Sequence, residues 1–135
     1  MPLTTYDDIF KCFMDNCRPD NFRIPQTNEG KYRMIKNGIM FFNNKMDGIV
    51  LETNDSTETV NSKMTNDELL ILAYCMRYDY FQCELDDFIS VYSMFQKEVG
   101  FKDYKDQLKG REGMLQRTEQ RIIELITNIQ DKSIM

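Results

Sequence analysis

Apolar residues recur at spacings of three and four along most of the chain, the period of helices that bury one face. Tyr6, Ile9, Phe10, Phe13 and Cys17 form the first stripe. Thr5 stands at the N-cap position, with Asp7 and Asp8 beside the positive end of the helix dipole, so a helix over Tyr6–Cys17 is expected. Pro19 and Pro25 impose an extended connection over residues 18–26. A second seam, Tyr32, Ile35, Ile39, Phe42, Met46 and Ile49, predicts a helix starting near Thr27 or Asn28. Gly38 and Gly48 cost this helix roughly 1 kcal/mol each relative to alanine, and they permit close approach of a neighbour. Residues 52–63 carry one apolar side chain, Val60, and read as a long exposed loop. Its stretch Thr57-Glu58-Thr59-Val60 would pair as a strand only if another segment supplied an edge.

Thr65-Asn66-Asp67-Glu68 is a capping box, flanked by Met64 and Leu69 at the positions of a hydrophobic staple. The helix it starts, Leu69 to Cys83, is apolar on nearly every side, which marks a central helix or one that meets a second subunit. Asp86–Val99 follows as a shorter helix with Phe88, Val91, Tyr92 and Phe95 inward, ended by Gly100. Phe101-Lys102-Asp103-Tyr104 then reads as a tight connection. The last helix is expected from Lys105 to Asn128, with Leu108, Leu115, Ile122, Leu125 and Ile129 as its stripe and with Gly110 and Gly113 softening its start. Residues 130–135 show no pattern and read as a mobile tail. The whole is one all-α domain over residues 1–129, a four-to-five-helix bundle with a long polar loop between helices two and three.

Composition removes function classes. The 135 residues include no histidine, so Ser–His–Asp and Cys–His chemistry within one chain is excluded, along with the commonest transition-metal ligand. A net charge of −5 disfavours a protein that grips nucleic acid by its phosphates. Cys12, Cys17, Cys75 and Cys83 lie in apolar helical patterns without CxxC spacing, as expected of reduced thiols used as small hydrophobes. No apolar run approaches the roughly 20 residues of a membrane span, and residues 1–8 have no secretory pattern. The expected setting is the cytosol or a particle assembled there.

Asp79, Glu84, Asp86 and Asp87 are the only acidic grouping that suggests a cation or acid–base site, but they lack the alternating ligands and central glycine of a calcium loop. A solvated helix end explains them better. Gly110-Arg111-Glu112-Gly113 lacks both the preceding strand and the lysine-hydroxyl pair of a phosphate loop. No catalytic residue, metal or cofactor is therefore expected. Tyr74, Tyr78, Tyr80 and Phe81 are more aromatic surface than one helix usually hides, which suggests an interface; some of Met34, Met40 and Met94 lie off the seams and suggest subunit contacts.

From Thr65 to Ile129 the order of features resembles the head–tail connector (adaptor) proteins of tailed bacteriophages. The features are the acidic cap and aliphatic run Asn66-Asp67-Glu68-Leu69-Leu70-Ile71-Leu72-Ala73, then Met76-Arg77-Tyr78-Asp79-Tyr80-Phe81, then Lys102-Asp103-Tyr104 before a long helix. The earlier Phe41-Phe42-Asn43-Asn44-Lys45-Met46-Asp47 is similar to the aromatic-then-polar helix end common in that family. Tyr80 or Phe81 stands where those proteins often carry tryptophan. The resemblance implies a structural virion protein in the neck, assembled in the host cytoplasm as a ring of about twelve copies under the portal protein. It would receive a stopper or head-completion protein below, while DNA passes without specific binding. It also implies that the C-terminal segment, with Ile134 and Met135, engages the portal, and that Lys102, Asp103 and Tyr104 belong to the contact region. A small acidic helical regulator that binds and inhibits a host protein would share this composition, and a carboxylate-dependent enzyme using Asp79, Glu84 and Asp86 stands third.

Overall fold

The computed structural model describes residues 2–18, 24–93 and 101–134. Four helices carry the fold: α1 (Tyr6–Cys17), α2 (Asn28–Lys45), α3 (Asn66–Ser93) and α4 (Phe101–Ile134), with strands β1 (Thr53–Asn54) and β2 (Thr59–Val60) between α2 and α3. The architecture is all-α. Helix α3 is central: α1, α2 and α4 all pack on it, and α1 also touches α2.

The caps read from the sequence at Thr5 and Thr65 are in place, and the structure adds one at Thr27. The Thr5 hydroxyl accepts from the Asp8 amide at 3.2 Å, and that of Thr27 accepts from Gly30 at 3.1 Å. At α3 the capping box is reciprocal, with Thr65 N donating to Glu68 Oε1 at 2.8 Å and Glu68 N to Thr65 Oγ1 at 3.2 Å. Helix α2 ends at Lys45, earlier than the seam to Ile49 suggests, because Met46 turns to an extended conformation and Gly48 takes φ +81°.

Four expectations need correction. The third and fourth helices are one, since α3 runs through Glu84-Leu85-Asp86-Asp87 without a break. Asp86 and Asp87 lie on exposed positions while Leu85 and Phe88 on either side of them are buried and Glu84 turns towards α4, so polarity there marks a helix face and no helix end. Lys102-Asp103-Tyr104 is not a tight connection but part of the first turn of α4. That helix continues past Asn128 through residues 130–134. Val91, expected inward, is exposed, since the register that buries Leu85 and Phe88 turns it to solvent. The expected segment 94–99, with Phe95 and the Gly100 stop, lies outside the described residues, as do Met135 and residues 19–23 of the expected extended connection.

The polar loop is also more ordered than its composition suggests. Thr53 pairs with Val60 and Asn54 with Thr59 in a two-stranded antiparallel hairpin. The missing edge comes from the N-terminus: Thr5 bridges Thr59, Val60 N donates to Thr4 O, and Thr4 N donates to Ser62 O. Asn54 Oδ1 accepts from the amides of Ser56 and Thr57 and shapes the turn.

One core joins these parts. Ile9, Phe13, Ile35, Phe42, Ile71, Leu72, Met76 and Ile122 are essentially sealed from solvent, and Val60 brings the hairpin into the same cluster. Gly38 lets α2 approach α3 closely, for a Cβ there would fall 2.3 Å from Met76 Cγ.

Helix lengths set the shape. At 1.5 Å per residue α1 and α2 span about 18 and 27 Å, whereas α3 and α4 span about 42 and 50 Å. The second half of α3 and the first half of α4 therefore extend as a two-helix arm. Leu85, Phe88 and Leu115 are buried there, apart from the main cluster. Phe88 stacks on Tyr104 at 5.6 Å, which shows the pair to be antiparallel.

Candidate protein-interaction site

The aromatic run of α3 divides by face. Tyr80 is core, 7% exposed and edge-on to Phe13 and Phe81. Tyr78 stacks on Phe41 of α2 at 5.0 Å. Tyr74 and Phe81 flank Arg77, whose guanidinium lies 5.5 and 5.2 Å from their ring centres. Arg77 also donates to the Asn16 carbonyl at 2.9 Å, placing a cation at the negative end of α1, which has no basic residue in its own last turn. These four aromatics thus have partners within the fold, and only Tyr74, Tyr78 and Phe81 keep part of their surface in reach of solvent.

The arm has a similar arrangement. Arg111 lies 4.1 Å over the Phe88 ring, with Nε 3.8 Å from Glu84 Oε1. The α4 positions Tyr104, Leu108, Arg111, Leu115, Thr118, Ile122, Leu125 and Ile129 alternate spacings of four and three, the seam of an antiparallel helix pair. Thr118 lies buried in that seam, its hydroxyl donating back to Met114 O at 2.9 Å. Lys102 and Asp103 open α4, and Ile134 is its last residue.

The acidic grouping disperses. Glu84 turns to Arg111, Asp86 Oδ1 accepts from Gln82 at 3.2 Å, and Asp79 and Asp87 line the seam between α2 and α3. Among the described residues no three His, Cys, Asp or Glu side chains are placed to hold a metal ion, and no helix is long and apolar enough to cross a membrane. The thiols form no disulfide with one another. Burial pushes Cys75 up to about 12 and Cys17 to about 11, in keeping with use as small hydrophobes, whereas Cys83 is exposed.

Sequence reasoning missed the groove between α2 and α3. Asn37, Met40, Phe41, Asn44, Tyr78, Asp79 and Gln82 line an open concavity of about 480 Å³. Its bed is the Phe41–Tyr78 stack, its rim carries three amides, and Met40 stands 72% exposed at the edge. Asp79 is half-buried there, and desolvation raises its pKa above the ordinary carboxylate value. Among the described residues it has no hydrogen-bond or ion-pair partner. Arg33 lines the adjoining stretch of the seam but does not pair with it. The signal is an aspartate inside a largely apolar helical run, which in the sequence reads together with the acids five to eight residues on.

Comparison with known proteins gives a phage origin. No solved structure matches the chain. The SPbeta prophage-derived uncharacterized protein YomZ of Bacillus subtilis (strain 168) is 35% identical over 126 residues, covering 93% of this chain and 95% of that protein. The model of the family described as YomZ prophage protein matches residues 1–131. This is a prophage family and is not described as a head–tail connector family, so the origin is carried by the match and the neck role is not. The chain belongs to the YomZ prophage protein family.

Proposed function

We propose that this phage protein is a structural component of the virion neck, a head–tail adaptor that assembles as a ring under the portal and links the capsid to a stopper or tail-completion protein. The observation that carries the reading is the long α3–α4 pair. Helix α4 packs chiefly on α3, and among the described residues its outer face from Asp103 to Gln130, about 40 Å long, is uncovered, as suits a subunit that completes its packing against neighbours. The arm adds exposed apolar side chains, Ile89 at 38% and Val91 at 52%. The phage origin is compatible with this reading, and the ordered resemblance from Thr65 to Ile129 supports it.

Charge fits such a role. Each copy carries −5, so a ring repels the DNA backbone and favours passage over sticking. Lys102, Asp103 and Tyr104 at the start of α4 and Ile134 at its end then mark the two extremities offered to partners. Assembly takes place in the host cytoplasm and ends in the particle.

The test is to mix the protein with the portal ring of its own phage and examine the product by native mass spectrometry and negative-stain imaging. A complex holding a symmetric ring of this chain is expected. Failure to bind the portal at any concentration overturns the reading, whereas a monomer in isolation does not, since a ring can form on its template.

A further inference from the structure

The groove around Asp79 has an unmet requirement, a cation. The carboxylate is half withdrawn from water, lacks a partner among the described residues, and sits beside an apolar bed with an exposed methionine at its rim. A desolvated carboxylate in such a place gains most from a cationic side chain delivered with apolar contact. The charged side chains about the groove are Arg33 and Asp87 along the seam and Lys45, whose Nζ lies 5.4 Å over the Phe41 ring, and neither cation pairs with the Asp79 carboxylate.

The chain carries a complementary surface on another element. Residues 1–100 have 10 Lys and Arg against 16 Asp and Glu, a net of −6, whereas residues 101–135 have 7 against 6, a net of +1. The outer face of α4 exposes Gln116, Arg117, Gln120 and Ile123, with Ile123 46% exposed, and the neighbouring Glu124 is already paired with Arg121 at 3.4 Å, which leaves Arg117 as the uncompensated charge. Arg117 makes no ion pair or hydrogen bond among the described residues and folds back over Gly113, its Nη1 3.3 Å from where a Cβ would sit. It can swing outward at little cost.

We infer that the α2–α3 groove of one copy receives the outer face of α4 from a second copy, with Arg117 of that copy as the counter-ion of Asp79 and Ile123 seated against Met40 and Phe41. Groove and helix face are different patches, so the contact is heterologous: each copy offers one of each, and the contact propagates from subunit to subunit. The inference deepens the ring reading and identifies which surfaces meet within the ring, but it concerns contacts between copies and not the portal.

Sedimentation equilibrium on the full chain tests it. The average mass is expected to rise above the 16.1 kDa of the monomer as concentration approaches about 1 mM. Asp79→Arg and Arg117→Asp should each weaken association by roughly tenfold or more, and the chain carrying both reversals should recover most of it. Asp79→Asn, which alters the fold less, should weaken it several-fold with an unchanged circular dichroism spectrum. A wild-type chain that stays monomeric throughout, or a double reversal no better than the singles, overturns the inference. Portal binding scored on the same variants separates the two readings. Self-association without portal binding sinks the adaptor role alone, and portal binding indifferent to these substitutions sinks this contact alone.

Discussion

The two ends of the α3–α4 pair are built differently. At the body end, α3 is enclosed by α1, α2 and α4, and its inward side chains Ile71, Leu72 and Met76 have no measurable exposure. In the arm two helices meet among the described residues, Leu85, Phe88 and Leu115 keep 5–8% exposure, and a seam position goes to Arg111. Two helices cannot seal a dry core, so the arm fills its seam with amphipathic side chains: Arg111 over the Phe88 ring, and Tyr104 stacked on that ring. The body therefore holds most of the folding free energy, and the arm is free to adjust when a neighbour packs on it.

The largest expected effect breaks that contrast most directly. Phe42 is 0% exposed between α2 and α3, and Phe42→Ala should cost about 3–5 kcal/mol, a large share of the stability of a domain this size. Thermal and urea unfolding would show it as a shift of the whole transition. Phe88→Ala, an equally large truncation in the arm, should leave the main transition within a few degrees while amide exchange rises at residues 84–91 and 104–111. Equal global losses would mean that body and arm fold as one unit and that the distinction is only one of shape.

Gly38 sharpens the contrast from the body side. Gly38→Ala drives a methyl into Met76 Cγ at 2.3 Å, in a place where backbone also lies 3.5 Å away, so the flexible side chain has little room to yield. A loss of about 1–3 kcal/mol is expected, and Met76→Ala in the same chain should recover part of it. Gly110→Ala, on the exposed side of the arm with nothing near its Cβ, should instead stabilise by up to about 1 kcal/mol through helix propensity. Unfolding midpoints of the three variants check both signs.

These differences explain what could be read from the sequence. Local signals were legible: Thr5 and the Thr65–Glu68 box cap helices as their chemistry requires, the second helix starts at Asn28, and the Tyr6–Cys17 stripe has the bounds of α1. The continuity of α3 was also available, since residues 66–93 contain neither glycine nor proline, but four acids near residue 84 looked like a helix end. The α4 seam was half visible, because Arg111 and Thr118 interrupt an apolar stripe whose register they keep. The hairpin was hidden for another reason. Its edge comes from Thr4 and Thr5, about fifty residues away, and no local pattern encodes that pairing. The Asp79 groove shares that cause, because it exists only once α2 lies against α3.

The arm's ion pair should give a smaller effect. Glu84→Gln removes the charge facing Arg111, whose Nε is buried without a hydrogen bond, and should loosen the arm by about 1 kcal/mol in local exchange. Arg111→Met keeps the contact with Phe88 without a charge to desolvate and should be neutral or slightly stabilising. If both substitutions destabilise alike, the pair holds the arm by attraction and not by packing.

The smallest effect is a pH dependence confined to the body. Tyr6 donates to Asp55 Oδ1 at 2.7 Å, and Lys36 pairs with Asp55 Oδ2 at 2.6 Å, so the hairpin turn is held against α1 and α2 by charge as well as backbone. Lys36 first, then Tyr6, holds the Asp55 carboxyl below its ordinary 3.8. The folded form thus prefers the ionised acid. Its contribution is complete above 3.8 and fades as pH falls through the lower folded value. Burial first, then the bond to Asp55, raises Tyr6 from 10.0 to about 12, so the folded form keeps a proton that the unfolded chain gives up. That contribution is complete below pH 10 and disappears as pH rises towards 12. Asp55→Asn should remove the acid limb and shrink the alkaline one, with little change in stability near neutrality because the pair is exposed and screened by solvent. Melting curves against pH, compared with amide exchange in the arm, check it. An arm whose exchange follows the same two limbs would show that the hairpin governs α4 through the core, and the body could no longer be treated as a separate unit.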